Sequence, residues 1–119
     1  MKLLLQNIPF PLASYRDALE QCLLAFDKVA HVHEVRLFGS FARGDATSAS
    51  DVDLCIVAEG AEHQLETAGR LRHSLRNIRS KPALTLVPIS PARLVEKMEN
   101  KDHFFTTVFE EGICLAAQD

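Results

Sequence analysis

The sequence predicts a single α/β (α+β) domain, residues 1–119, in which a mixed sheet of about four strands is covered by helices. Helical and strand-like segments alternate along the chain, which is typical of this class. The composition, with 47% hydrophobic and 24% charged residues, is that of a folded protein rather than a disordered one. A chain of 119 residues is long enough to bury a core without disulfides or a structural metal.

Helices are predicted where apolar residues recur at steps of three and four, with charged residues between them. The predicted helices are residues 11–30, 61–79, 91–98 and 103–111, with one helical turn at 40–45. Ser90 is placed to cap the third helix, because Pro91 suits the first helical position.

Strands are predicted where short β-branched segments lie between turn residues. The predicted strands are residues 32–38, 51–58, 82–89 and 113–116. The second of these, with the sequence DVDLCIVA, carries the clearest strand pattern. Only about a dozen residues join it to the first, which favours an antiparallel pair over a helical crossover. We therefore expect a mixed sheet.

Charge and composition argue against several classes of protein. A formal net charge of −3 does not suit a protein that binds nucleic acid through bulk electrostatics. No apolar run approaches the roughly 20 residues of a membrane span, and the apolar start of the chain is broken at Pro9, too early for a secretory signal. Cys22, Cys55 and Cys114 form no CxxC pair, so we expect reduced thiols in a cytoplasmic protein.

Two aspartates open the clearest strand. Residues two apart on a strand point to the same face, so Asp51 and Asp53 are expected to present their carboxylates side by side. Such a pair is costly unless a cation lies between the charges. Mg²⁺ commonly binds one or two carboxylates and completes its shell with water and phosphate oxygens. Taken alone, however, acids at the start of a strand are more often simply solvated.

A glycine and a serine precede the aspartates and strengthen the prediction of a ligand site. Gly39 ends the first strand and lets the backbone approach a ligand closely. Ser40 opens a turn whose backbone N–H groups can attract phosphate. Arg43 in the same turn could neutralise a phosphate oxygen, or it could be an ordinary surface arginine. Together with the acids, this pattern predicts a site for a nucleoside triphosphate.

Other motifs with similar spacing do not fit. Gly39 and Gly44 have the spacing of a P-loop, but the lysine and hydroxyl residue that must follow are missing. Asp51 and Asp53 could open a calcium loop, but Cys55 stands where that loop needs a third oxygen ligand.

The pair Gly39-Ser40, ten further residues and then Asp51-Val52-Asp53 resemble the GS-x10-DxD signature of the minimal nucleotidyltransferases. These are small bacterial and archaeal members of the DNA polymerase β-like superfamily. The segments GSFARG and SDVDL match closely, and the closing FEEGICL resembles the end of such a domain. The resemblance covers nearly the whole chain and implies the nucleotidyltransferase palm fold.

The resemblance also implies the roles of individual residues. Asp51 and Asp53 would be the catalytic residues and would bind Mg²⁺, while Gly39, Ser40 and Arg43 would bind the triphosphate of ATP. An acceptor hydroxyl attacks the α-phosphorus in such enzymes, and pyrophosphate leaves.

One residue departs from the pattern of this family. The family usually carries a third acidic residue on the next strand, where this sequence has Thr85. A threonine can neither act as a general base nor neutralise a second metal ion. No aspartate or glutamate lies between Glu66 and Glu96 to replace it.

Three hypotheses about function follow. Small members of this family resemble antitoxins that bind a helical HEPN ribonuclease and transfer AMP from ATP to a hydroxyl on it. Our first hypothesis is such an antitoxin, in a hetero-oligomer with a HEPN-type toxin. The second is a catalytically degenerate protein that neutralises its partner by binding alone. The third is transfer to a small molecule or an RNA through a homo-oligomer.

A basic stretch gives a weaker signal. Its members are Arg70, Arg72, Arg76, Arg79, Lys81 and Arg93. Arg72, Arg76 and Arg79 have the spacing of one helix face, which could bind an acidic partner, RNA or the triphosphate tail. A solvated basic face is the more common case in a chain of net negative charge.

Two further groups of side chains are expected to have structural roles. His31 and His33 could share a face of the first strand, but no third metal ligand has a readable spacing, so we expect them to face solvent. Four apolar residues of the last helix are expected to pack in the core, or to mark a protein interface if they are exposed: Phe104, Phe105, Val108 and Phe109.

Overall fold

A computed structural model describes residues 1–119 and shows a five-stranded mixed sheet with helices on both faces. The strands are β1 (Lys2–Leu3), β2 (His31–Phe38), β3 (Val52–Glu59), β4 (Leu84–Ile89) and β5 (Ile113–Ala117). The helices are α1 (Arg16–Val29), α2 (Ser40–Arg43), α3 (Gln64–Ser74), α4 (Pro91–Glu99) and α5 (His103–Glu111). The predicted mixed sheet is confirmed, and its fifth strand, β1, is too short to give a periodic pattern.

The sheet has the strand order β1-β5-β2-β3-β4. β2 pairs antiparallel with both β3 and β5, and β1 pairs antiparallel with β5. β3 and β4 are parallel and are joined by α3, as a parallel connection requires. The predicted antiparallel pairing of the two central strands is therefore confirmed.

β3 is buried on both of its faces, which explains why its sequence reads so clearly as a strand. Val52, Leu54 and Ile56 point into the larger core, which contains residues of α1 and α3. Cys55 and Val57 point the other way, into a smaller core that contains residues of α5. All five side chains are buried, so β3 is fixed between two packed layers.

Helix ends follow the expected local chemistry in part. The Ser90 hydroxyl accepts a hydrogen bond from the backbone N–H of Arg93 at 3.1 Å, which confirms the predicted cap of α4. The predicted helix 11–30 divides into a 3-10 helical segment, Phe10–Tyr15, followed by α1.

The longest helix has 14 residues, and none combines the length and apolar character of a membrane span.

The predicted helix 61–79 ends early, at Ser74. Arg76 and Arg79 therefore lie beyond α3, and the prediction that they share a helix face with Arg72 is wrong. The chain has to turn before β4, and Ser80 adopts a left-handed φ of 60° in that turn. Arg72 instead donates a hydrogen bond to the carbonyl of Leu84 at 3.1 Å, so it ties α3 to β4.

The aromatic residues of α5 divide between core and surface. Phe105 and Val108 are buried, as predicted, whereas Phe104 is 43% exposed. For Phe104 the prediction of core packing is wrong, because this side chain lies at the edge of the layer and contacts Phe38 and Phe105 edge-to-face. Phe109 is half-buried, with the guanidinium of Arg36 over its ring at 4.7 Å.

All three cysteines are free thiols. Burial raises the pKa of Cys22 to about 11 and that of Cys55 to about 12. Burial also raises the pKa of Cys114, which is only partly buried. Thiolate is the reactive form of cysteine, so these side chains are poor nucleophiles at neutral pH.

We predict that Gly112→Ala lowers the free energy of unfolding by about 1–3 kcal/mol, because a close-packed site does not accept an added carbon atom. A Cβ at Gly112 would overlap the carbonyl oxygen of Val108 and lie 3.0 Å from that of Leu37. Urea unfolding measures the change.

Gly69→Ala is the matched control for that substitution. Gly69 lies within α3 with open space around the position of a Cβ, and alanine favours a helix over glycine by up to about 1 kcal/mol. Gly69→Ala should therefore be neutral or stabilising. Equal stability of the two variants would contradict the packing assigned to Gly112.

Candidate active site

The antiparallel pairing of β2 with β3 brings the predicted glycine and one of the aspartates together. Phe38, the last residue of β2, lies opposite Asp53, so Gly39 follows directly beside this carboxylate. Gly39 has a φ of 76°, a conformation that side-chain-bearing residues rarely adopt. A Cβ at Gly39 would also overlap the Oδ2 atom of Asp53. Only glycine satisfies both the backbone conformation and the space left by Asp53.

The turn after Gly39 is the single-turn helix α2, which begins at Ser40. The carbonyl of Gly39 accepts hydrogen bonds from the N–H groups of Ala42 and Arg43, at 3.1 and 3.0 Å. Gly44 ends the turn in a left-handed conformation, with a φ of 92°. These backbone bonds fix Ser40 and Arg43 on the same corner as Gly39.

Thr85 links the two aspartates across the parallel strands. It lies opposite Asp53 in the register of β3 and β4, and its hydroxyl donates a hydrogen bond to Oδ2 of Asp51 at 3.0 Å. Asp51 is exposed, just before β3 begins, whereas Asp53 is half-buried within it. Thr85 thus lies on the neighbouring strand beside both carboxylates, as the sequence predicts for the position of the third acidic residue.

Asp53 is held in an environment that disfavours its negative charge. Burial first, and then the charge of Asp51, raise the pKa of the Asp53 carboxyl. The Thr85 hydroxyl and the Arg43 guanidinium act in the opposite direction but more weakly. A cation between the carboxylates would remove this repulsion, and carboxylate oxygens are the donors that Mg²⁺ prefers. The residues present therefore fit a divalent metal ion.

A cavity of about 440 Å³ opens in front of this corner. The predicted residues Gly39, Ser40, Arg43 and Asp53 line one side of it. Residues of α5 line the other side, among them His103, Thr107 and Glu111. Sequence reasoning missed these three, although their spacing of four residues places them on one face of a helix.

Asp51 opens onto a different cleft. This second cleft, of about 480 Å³, is formed mainly by residues 46–52 and 82–83, with Tyr15 and Phe41 at its side. The aspartate pair therefore lies between two clefts, rather than presenting both carboxylates to one cavity as the strand pattern alone suggests.

The guanidinium of Arg43 makes only one long ion-pair contact within the protein. Its Nε lies 3.4 Å from Oδ2 of Asp45, and both side chains are about half exposed or more. The guanidinium is therefore available to an anion in the cavity that it lines.

The two histidines of β2 lie away from this cavity and differ in exposure. His31 is 63% exposed, as expected, but His33 is only 25% exposed, so the expectation that it faces solvent is wrong. The pairing of β2 with β3 places the carboxylate of Glu59 beside both rings, a neighbour that sequence spacing could not reveal.

Comparisons with known proteins identify the family and the fold of the chain. The family model described as "Nucleotidyltransferase domain" matches residues 17–111. A crystal structure of a protein from Sulfolobus solfataricus, provisionally described as a nucleotidyltransferase, shares the fold, with a TM-score of 0.55 over 82% of this chain and 76% of that one. The identity is 16%, so this likeness shows the fold alone. No curated protein sequence gives a significant match.

We predict that Mg²⁺ raises the melting temperature of the wild type and that Gly39→Ala abolishes this rise, because the added Cβ displaces the Asp53 carboxylate. Gly44→Ala is the matched control: its φ is also positive, but its Cβ meets no atom within 4 Å. Both variants carry about 1–2 kcal/mol of backbone strain. Differential scanning fluorimetry with and without Mg²⁺ separates them, and an equal response of the two variants would refute the steric argument.

We also predict that Asp53→Asn is more stable than the wild type at neutral pH. The pKa of Asp53 is raised by folding, so protonation favours the folded state and the ionised carboxyl costs stability as pH rises. The difference in the free energy of unfolding between Asp53→Asn and the wild type should shrink as pH falls towards about 4, where an unfolded aspartate also binds a proton.

Urea unfolding between those pH values tests this prediction. Glu62→Gln removes the same charge from an exposed position and should give no comparable gain. A loss of stability in Asp53→Asn at neutral pH would contradict the electrostatic account.

Proposed function

The chain belongs to the nucleotidyltransferase domain family, and on that basis we propose that it is a Mg²⁺- and ATP-dependent enzyme that transfers AMP to a hydroxyl of a partner protein. The observation that carries the proposal is the packing of Asp53 against Gly39, with Asp51 held beside it through Thr85. Asp53 lies next to the glycine-serine corner and lines its cavity, while Asp51 lines the second cleft on the other side of the pair.

The residues on the two sides of the corner have different roles in this proposal. The backbone N–H groups of Gly39 and Ser40 and the guanidinium of Arg43 would hold the triphosphate, because these residues line the cavity and can bind anions. Asp51 and Asp53 hold Mg²⁺, which when bound neutralises charge on the triphosphate oxygens. Positioning and charge neutralisation account for most of the catalysis in reactions of this class.

The proposed reaction is an in-line substitution at the α-phosphorus. The acceptor oxygen forms a bond to the α-phosphorus, and the bond from that phosphorus to the bridging oxygen of the β-phosphate breaks. Pyrophosphate leaves with the bonding electron pair, and the acceptor hydroxyl gives its proton to a base. In this proposal Asp51 and Asp53 would hold the Mg²⁺ that neutralises the charge developing on the leaving pyrophosphate.

Glu111 is the residue we assign to receive that proton. Thr85 cannot do so, and no acid lies near it in sequence. Glu111 reaches the cavity from α5, and it is the one carboxylate besides Asp53 that lines it. Tertiary structure therefore supplies an acid at the cavity in place of the missing one on β4.

Exposed apolar side chains on α4 and α5 support a protein as the acceptor. α4 packs against α5, has no buried residue and exposes Val95 and Met98, and Phe104 is exposed on α5 at the cavity wall. Exposed apolar groups of this kind are typical of interaction surfaces. A helical HEPN-type toxin is the partner we propose, and the chain would act as its antitoxin in the cytoplasm.

We predict that the HEPN-type partner gains the mass of one or more AMP groups when it is incubated with this protein, ATP and Mg²⁺. Asp51→Asn combined with Asp53→Asn should lower the rate at least about 100-fold, since metal stabilisation of the transition state supplies several kcal/mol. Intact-protein mass spectrometry measures the transfer, and size-exclusion chromatography shows whether the complex still forms.

The control is Glu62→Gln, which changes an acid outside the cavity and should leave the rate unchanged. Glu111→Gln should slow transfer while the complex remains intact. Absence of any AMP gain in a complex that forms would reject the enzymatic proposal.

Binding without catalysis is the second candidate function, and Thr85 is the observation that favours it. A neutral hydroxyl stands on β4 beside the two aspartates, so one charge of the family's usual set is absent. If the double aspartate variant still neutralises the partner fully, the protein acts by occlusion. Labelling of RNA or turnover of ATP without the partner would instead favour transfer to an RNA or a small molecule.

A further inference from the structure

A second cluster of chemically active side chains lies at the opposite end of the β2–β3 pair. Nδ1 of His31 lies 2.7 Å from one oxygen of Glu59, and Nε2 of His33 lies 3.3 Å from the other. One ligand atom from each of the three residues falls within 4.8 Å of the other two. β2 has eight residues, His31–Phe38, and Glu59 lies six residues along β3 from Asp53, so roughly 20 Å of strand separate this cluster from Asp53.

The cluster depends on an irregularity in the sheet. Val32 pairs with Ala58 and Glu34 with Val57, so His33 is an extra residue of β2 with no partner of its own. A bulge of this kind redirects the side chain that it carries. The rings of His31 and His33 consequently lie with their centroids 5.2 Å apart, both beside Glu59.

The side chain of His33 has a ring nitrogen without a hydrogen-bond partner. Its Nε2 atom is buried and makes no hydrogen bond of acceptable geometry, although Glu59 is close. A buried nitrogen without a partner is uncommon in a folded protein. A ligand that accepts this nitrogen's lone pair would satisfy it.

The ligand atoms and the distances between them indicate which metal ion the cluster suits. Two ligand atoms bound tetrahedrally to zinc, each at about 2.0–2.2 Å, lie about 3.4 Å from one another. The two separations here, 2.7 and 3.3 Å, run to different oxygens of Glu59. All three ligand atoms lie within 4.8 Å of one another, so a shift of at most about 1.4 Å brings them to the spacing of a tetrahedral site. Two imidazoles and a carboxylate suit Zn²⁺ and similar transition metals rather than Mg²⁺, which prefers oxygen.

We propose that His31, His33 and Glu59 form a Zn²⁺ site, with Nδ1 of His31, Nε2 of His33 and one oxygen of Glu59 as ligands. Three protein ligands leave one position for water or for a group from another molecule. The site bridges β2 and β3 at the end remote from the nucleotide cavity, so it is independent of the proposed enzymatic activity.

The test is a titration of the untagged full chain with ZnCl₂ by isothermal titration calorimetry. The Asp51→Asn, Asp53→Asn double variant serves as the background, so that the carboxylate pair makes no contribution. One equivalent of Zn²⁺ should bind, and excess Mg²⁺ should not displace it. His33→Asn or Glu59→Gln should weaken binding at least about tenfold, since even the loss of an outer-shell partner costs 10–100-fold.

His73→Asn and Glu62→Gln, both at exposed positions, are matched controls and should leave the affinity unchanged. An anomalous diffraction peak at the zinc edge between the two rings would locate the ion directly. The proposal is overturned if no saturable binding occurs, or if the control variants weaken binding as much as the cluster variants do. In that event the three residues form an ion-pair cluster only.

Discussion

Two like charges are held close together at one end of a strand that is otherwise buried on both faces. Asp53 is half-buried beside Asp51, and both burial and repulsion raise its pKa. Left free, the carboxyls would move apart into water. β3 prevents this because its apolar side chains are fixed in two cores, and because the Thr85 hydroxyl holds Asp51 in place. The packing of the strand thus offsets the cost of the carboxylate pair.

The glycine corner is a consequence of the same constraint. Asp53 fills the space that a side chain at position 39 would need, so the backbone after β2 passes directly over the carboxylate. Anion-binding backbone groups and cation-binding oxygens are thereby placed side by side. In the proposed function a metal ion with a bound triphosphate would satisfy both groups at once, and its binding would relieve the repulsion between the two carboxylates.

At each end of the β2–β3 pair, the strand register decides which functional side chains lie next to one another. At the aspartate end the ladder is regular, so the position of Asp53 opposite Phe38 follows from strand pairing alone. At the other end a bulge at His33 adds a residue and brings two imidazoles to Glu59. One pair of strands therefore supports an oxygen-rich site at one end and a nitrogen-rich cluster at the other.

The sequence by itself determined the fold class, nearly all the strands and helices, and the glycine-serine and aspartate motif, because these depend on local periodicity and spacing. The sequence predicted the ends of elements less well where helix propensity competes with the turn that the chain has to make. The helix predicted to residue 79 ends at Ser74 for this reason. Tertiary structure alone decided which residues meet across the sheet. Glu111 reaches the cavity, Glu59 joins the histidines, and Phe104 remains at the surface, because each of these placements depends on packing between elements distant in sequence.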